Sequence, residues 1–356
     1  MGLSTRGPTR AARFVKLSPW FELRRRAVVT ASRTPDRVWA RQVPVEGFTL
    51  MEGHDRGPTN LADTAPWRLC RTCAVHPPNL WNQPAMKIDF GEATPRWQGG
   101  KVRPKIHCVL AGNPGPMTLE GTNTWVLGAV GASHVIVLDP GPDDAAHAAA
   151  VVHQVRSLGA RAVTIALTHG HDDHNGAVSA LVAAMGAELW APVAEGATLA
   201  RGEVRLQAVP TPGHTADSVS WWWGEQGVLF TGDTILGRGT AVVAHPGGDL
   251  GDYLASLERL QALVRSAEVS VLLPGHGPPV DDPAGVVAGY LEHRLRRLDQ
   301  VHAALQAGAG SVAEVVAVVY AGIDPALRPA AALTVAAHVA YLRARGDGGG
   351  GAGWAP

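Results

Sequence analysis

Cysteine is scarce, with three in 356 residues, too few for a disulfide scaffold and in keeping with a reducing compartment. Net charge is absent too, since 31 Lys+Arg balance 31 Asp+Glu. That balance removes any chain-wide attraction to nucleic acid or a membrane surface and leaves only local patches. No apolar run approaches the roughly 18 to 20 residues that a bilayer-spanning helix needs. The Gly-x-Ser-x-Gly elbow of serine hydrolases is missing. Gly99-Gly100-Lys101 lacks the spacing and the hydroxyl residue of a phosphate-binding P-loop. Hydrophobic residues, at 46%, suffice for a packed core. Glycine (42) and proline (26) point to many loops, and loops carry function.

The chain divides by composition. Residues 1–104 read as a poorly ordered or accessory extension. Met1 to Leu50 holds ten Lys/Arg and three Asp/Glu, an Arg-rich start of the kind seen in transit peptides, without the apolar core of a secretory signal. A cytoplasmic location is expected. Residues 105–284 form the catalytic domain. There Val135–Leu138, Ala162–Leu167, Glu188–Trp190, Val204–Val209, Val219–Trp223, Val228–Phe230 and Val269–Leu273 read as strands, with helices over Asp143–Leu158 and Gly176–Met185. Strands alternating with helices imply layered α/β architecture. Residues 285–345 carry three helical periods, Val286–Leu305, Val312–Tyr320 and Ala326–Arg345, and read as a separate small module; 346–356 is a Gly-rich tail expected to be flexible.

One segment outweighs the rest: Thr168-His169-Gly170-His171-Asp172-Asp173-His174, directly after an apolar strand. Neutral imidazoles and carboxylates are ligands for zinc and similar divalent ions. Further donors follow later strands, each beside Gly or Pro: His214 in Thr211-Pro212-Gly213-His214, Asp233 in Thr231-Gly232-Asp233, and His276 in Pro274-Gly275-His276. Sites in open α/β sheets form outside strand ends, so these loops are expected to meet.

These residues, in this order, resemble the metallo-β-lactamase superfamily. The resemblance implies an αββα sandwich and a centre of one or two metals. It assigns His169, His171 and His214 to one ion, Asp173, His174 and His276 to a second, and Asp233 to the bridge between them. Two divalent ions are expected, Zn2+ first and Mn2+ or Fe2+ as alternatives. The implied reaction is hydrolysis by a hydroxide shared between the ions, with Asp173 and His171 as the catalytic pair. The stretch from Asn113 to Thr124 and the C-terminal helices are similar to the branch with an appended winged-helix module, which includes a mitochondrial endoribonuclease and polyketide-releasing thioesterases. The substrate is therefore expected to be a small acyl compound, an ester or thioester, or a phosphodiester such as single-stranded RNA. No membrane partner is expected, and oligomeric state is not legible. Where some members carry a further His after the Gly-His-Thr turn, this chain has Asp217-Ser218, so that residue's contacts do not transfer.

Weaker signals stand beside these. Cys70, Cys73 and His76 make half a zinc-ribbon pattern and read as free thiols, with Cys108 far away. Trp221-Trp222-Trp223 reads as strand packing, and His245 as a loop residue that could line the cleft. A competing function is a nucleic-acid-binding winged helix with an auxiliary metal domain, resting on Arg294, Arg296, Arg297, Arg328, Arg343 and Arg345. The Ala-, Val- and Leu-rich helix from 326 has few side chains that read bases.

Overall fold

The computed structural model describes residues 96–190 and 195–347. The Cys70, Cys73 and His76 pattern, most of the N-terminal extension and the Gly-rich tail beyond 347 lie outside these residues. Two sheets stack face to face. The first has strands β1 (Gly100–Arg103), β2 (Ile106–Leu110), β3 (Asn123–Leu127), β4 (His134–Leu138), β5 (Ala162–Ala166) and β6 (Glu188–Trp190), in that spatial order. Pairing is antiparallel from β1 to β4 and parallel from β4 to β6. Parallel neighbours require crossovers. Here α1 (Ala145–Ser157) links β4 to β5, while α2 (Asp172–Asn175) and α3 (Val178–Met185) link β5 to β6.

The second sheet contains β7 (Thr198–Arg201), β8 (Val204–Pro210), β9 (Val219–Trp223), β10 (Val228–Gly232) and β11 (Val271–Pro274), ordered β11-β10-β9-β8-β7. Only β10 and β11 are parallel, and α4 (Leu250–Ser266) crosses between them. Alternation fills the space between the sheets. Ile106, Cys108, Trp125, Ile136 and Leu138 of the first sheet meet Leu206, Trp221, Trp223, Phe230 and Leu273 of the second. Trp125 stands edge-on to Phe230, with ring centroids 5.9 Å apart. On the outer face of the second sheet, Leu229 and Leu272 pack against Tyr253 and Leu257 of α4. The tryptophan triplet is therefore packing: Trp221 and Trp223 lie in the sandwich interior and Trp222 on the other face. Burial pushes the Cys108 thiol up in pKa, so it is an inert core group.

Four polar bonds tie three core side chains to the sheet ends. Trp221 Nε1 donates to Leu167 O (3.1 Å) and Trp125 Nε1 to Pro274 O (3.2 Å). Asn123, at the start of β3, donates across the sandwich to Pro274 O and Gly277 O at 3.0 and 2.8 Å.

After the second sheet come α5 (Pro283–Gln306), α6 (Val312–Val319) and α7 (Arg328–Ala344). Val301, Leu305, Val315, Val335, Val339 and Leu342 form a core of their own. The αββα sandwich with C-terminal helices is as expected, but two boundaries move. Strand β1 belongs to the first sheet, so the sandwich begins before residue 105. The division at 285 falls inside α5, whose first half contributes Val287 and Tyr290 to the core on the second sheet. The C-terminal module thus shares a helix with the catalytic domain. No helix among the described residues is long and apolar enough to cross a membrane.

Candidate metal centre

Strand direction brings the donors together. β4 and β5 run parallel; β8 and β10 are both antiparallel to β9, and β11 is parallel to β10. The loops after β5, β8, β10 and β11 carry His169–His174, His214, Asp233 and His276, and all seven side chains meet at one edge of the sandwich. Three groups have donor atoms mutually within 4.8 Å: His169, His171 and His214; His169, His174 and Asp233; and Asp173, His174 and His276.

The outer ring nitrogens explain how the imidazoles are aimed. His214 Nδ1 donates to Val242 O (2.7 Å), His276 Nδ1 to Gly121 O (3.1 Å) and His174 Nδ1 to Asp139 Oδ2 (2.9 Å). Carbonyl and carboxylate oxygens only accept, so each of these Nδ1 atoms carries the hydrogen. Thr168 Oγ1 spends its hydrogen on Asp139 Oδ2 at 2.6 Å, so it accepts from His169 Nδ1 at 3.0 Å. Four rings therefore aim Nε2 inward, with a lone pair there whenever the ring is neutral. His169 Nε2 lies 3.0 Å and His214 Nε2 3.1 Å from His171 Nδ1, and His174 Nε2 lies 3.3 Å from His276 Nε2.

Such lone pairs repel unless a proton or a cation sits among them. The spacings approach the ~3.3 Å edge of a tetrahedron whose Zn–N bonds are about 2.05 Å. Asp233 lies between the groups. Its Oδ1 is 3.5 Å from His174 Nε2, and its Oδ2 is 3.4 Å from His276 Nε2 and 3.7 Å from His214 Nε2. Asp233 Oδ1 is buried without a hydrogen-bond donor, as a carboxylate oxygen reserved for a cation would be. Gly275 is required by this crowding: a methyl there would lie 2.4 Å from Asp233 Oδ1 and 2.7 Å from His174 Cε1.

The electrostatics divide the cluster. Burial and neighbouring imidazoles hold His169 well below the usual histidine range, and burial with His214 lowers His171. His276 goes the other way. Burial opposes its charge, but the Asp233 charge and bonds to Asp173 and Asp233 raise it well above the usual value. His174 is raised against burial by Asp233 and Asp139. Burial pushes Asp233 up, yet His276 and His174 together bring it well below a normal carboxylate. Asp173, the more exposed carboxylate, is also lowered, with burial outweighed by its bond to His276.

All seven donors read from the sequence are brought together. Asp139 was missed. It follows β4 directly with φ 50°, accepts from Thr168 N (2.7 Å) and Thr168 Oγ1, and orients His174. The signal was present in Leu138-Asp139-Pro140-Gly141, an apolar strand followed by Asp, Pro and Gly. Asp139→Asn tests this role. Thr168 N–H requires an oxygen at Oδ1, so the new amide NH2 faces His174 Nδ1. The ring must then change tautomer, placing a hydrogen rather than a lone pair inward. A loss of about 10–100-fold in divalent-ion affinity is expected in chelator competition; unchanged affinity would remove Asp139 from the orienting role. His245 is exposed on the loop between β10 and α4, its backbone N–H bonded to Leu333 O of α7 at 3.3 Å.

Comparison with known proteins agrees with this geometry. The sequence model of the metallo-beta-lactamase superfamily matches residues 117–205 and 190–276, and that of the beta-lactamase associated winged helix domain matches 311–347. A beta-lactamase-like protein 2 homolog from Caenorhabditis elegans is 34% identical over 214 residues, covering 55% of this chain and 70% of that protein. An atrochrysone carboxyl ACP thioesterase from Aspergillus fumigatus is 33% identical over 218 residues, covering 58% of this chain and 66% of that protein. A metallo-beta-lactamase family protein from Thermus thermophilus superposes with a TM-score of 0.59 at 23% identity, over 69% of this chain and 95% of its own, a likeness of fold.

Proposed function

Because this chain belongs to the metallo-beta-lactamase superfamily and carries its associated winged-helix domain, we propose that it is a two-metal hydrolase acting on a thioester. The observation that carries the metal assignment is the meeting of inward lone pairs with Asp233 at their centre. His169, His171 and His214 would hold one ion, Asp173, His174 and His276 the other, and Asp233 would bridge. Divalent ions bound there supply Lewis acidity and a nucleophile at neutral pH. Zinc is the first candidate, since neutral imidazoles with carboxylates suit it.

The chain's own groups do the rest. Asp173 is ionised at neutral pH and the more exposed of the two carboxylates, so it is placed to accept a hydrogen bond from the attacking water and orient it. The low-pKa rings of His169 and His171 stay neutral and keep donating lone pairs.

The thioester is supported by the similar Aspergillus protein, named as a carboxyl ACP thioesterase. The three arginines of α5 are engaged within the protein, which weakens a nucleic-acid surface on that helix. Arg294 is buried, Arg296 pairs with Glu292, and Arg297 binds Val319 O and lies over the Tyr320 ring. Side-by-side assay of zinc- or manganese-loaded protein on an acyl-thioester panel, a small RNA and a phosphodiester chromogen tests the assignment. Chelator-sensitive thioester turnover is expected, and turnover of the RNA alone would overturn it.

A pH dependence follows from the raised imidazoles. With no ion bound, the Asp233 charge favours the protonated forms of His276 and His174 against burial, so both give up their protons at higher pH than an ordinary histidine. Ion binding needs both rings neutral, so uptake must expel protons and tighten as pH rises. Calorimetry in buffers of different ionisation enthalpy should show proton release per ion pair bound; buffer-independent heats would contradict the assignment.

A further inference from the structure

Residues 234–242 follow Asp233 directly and reach two other donors. Gly237 N donates to His276 O (2.9 Å), and Val242 O accepts from His214 Nδ1 (2.7 Å). The segment has no regular structure of its own. Its backbone is fixed from outside by α4 and α5. Tyr253 Oη donates to Thr234 O at 2.7 Å, Leu236 N donates to Tyr290 Oη at 2.9 Å, and Arg294 Nη2 donates to Ala241 O. Tyr290 and Arg294 lie four residues apart on α5 and so share one face of the helix.

Arg294 is a costly choice for packing alone. It is 2% exposed, and among the described residues no carboxylate lies within ion-pair distance of it. A buried guanidinium without a counter-charge is expensive, and here a carbonyl and Tyr253, whose ring centroid is 4.9 Å away, compensate. The carbonyl it holds is one residue from the carbonyl that orients His214.

We infer that Tyr290 and Arg294 are positioning residues, by which the C-terminal helices fix segment 234–242 and, through Val242 O, the direction of the His214 ring. The inference rests on reading His214 as a metal ligand. When the Ala241 peptide is unanchored, Val242 O drifts, and His214 loses the acceptor that fixes its tautomer and aims Nε2 inward.

Tyr290→Phe deletes one oxygen and leaves the packing, while Arg294→Met keeps length without donors or charge; Arg294→Lys returns a charge and a donor. Each full-length variant is loaded with Co2+. Ions per chain, chelator competition and the visible absorption band are read, with Tm measured in chelator as a separate readout of folding. Wild-type protein is expected to bind two ions. Arg294→Met and Tyr290→Phe should each weaken one of the two by about tenfold or more and shift the band, with partial recovery in Arg294→Lys. Wild-type affinity and spectrum in Tyr290→Phe and in any soluble Arg294→Met, whatever their Tm, overturn the inference alone. Should Arg294→Met be insoluble, Tyr290→Phe decides. A wild-type chain that takes up no ion overturns the metal reading and the inference with it.

Discussion

Asp233→Ala should leave a folded protein that holds neither ion tightly and has lost turnover by more than the ~10–100-fold that removing an outer partner of a metal ligand costs. The reason is placement. Asp233 alone has carboxylate oxygens near rings of both groups, with His174 and His276 on one side and His214 on the other. Without it, five imidazoles face one another with only Asp173 and, behind His174, Asp139 as counter-charges. Asp233→Asn separates charge from shape. Its amide fills the same volume but brings hydrogens toward inward lone pairs, so it should resemble Ala in ion content by elemental analysis. If the Asn variant retained both ions and full thioester turnover, Asp233 would not be the bridge.

Gly213→Ala should be among the most damaging methyls in the sandwich. Gly213 precedes His214 with φ +133°, where an L side chain is strained, and its Cβ would lie 2.3 Å from Tyr253 Cα and 2.4 Å from Tyr253 N. Those are backbone atoms of α4, so no rotamer change gives relief. Backbone strain of about 1–3 kcal/mol and overpacking of about 1–3 kcal/mol together amount to roughly 2–6 kcal/mol. At about 2–4 °C per kcal/mol, Tm should fall by roughly 5–20 °C. The shift of α4 also pulls Tyr253 from Thr234 O, so weaker ion retention should accompany the lower Tm. A variant with wild-type Tm by calorimetry would show that α4 does not press on this turn.

The seven donors were legible because all follow one grammar: polar side chains a few residues past an apolar strand, with a Gly or Pro close by. Asp139 obeys it too, but sits in a run with no second donor nearby, and its partner Thr168 is distant in sequence. The central strands were legible from continuous apolar runs such as Val135–Leu138. Strand β3 was not. Asn123 and Thr124 look like loop residues, and they are buried because Asn123 binds backbone carbonyls across the sandwich and Thr124 bonds to Asp139 O and His147. Helix α4 was overlooked although Leu250, Tyr253, Leu254, Leu257 and Leu260 recur at helical spacing after the capping Asp249. Its many polar residues dilute that stripe. Residues 234–242 have no sequence signature, since what fixes them are the hydroxyls and guanidinium of helices that come later in the chain.

The two interior indoles that bond Leu167 O and Pro274 O grip the backbone one or two residues before the first and last ligand loops. Interior filling and ligand aim are thus one interaction. Engineering that improves durability by redesigning this interior will disturb the reactive edge, whereas changes on the outward faces of α1 and α6 will not. Directed evolution of this scaffold should accordingly accumulate its tolerated substitutions far from those two rings.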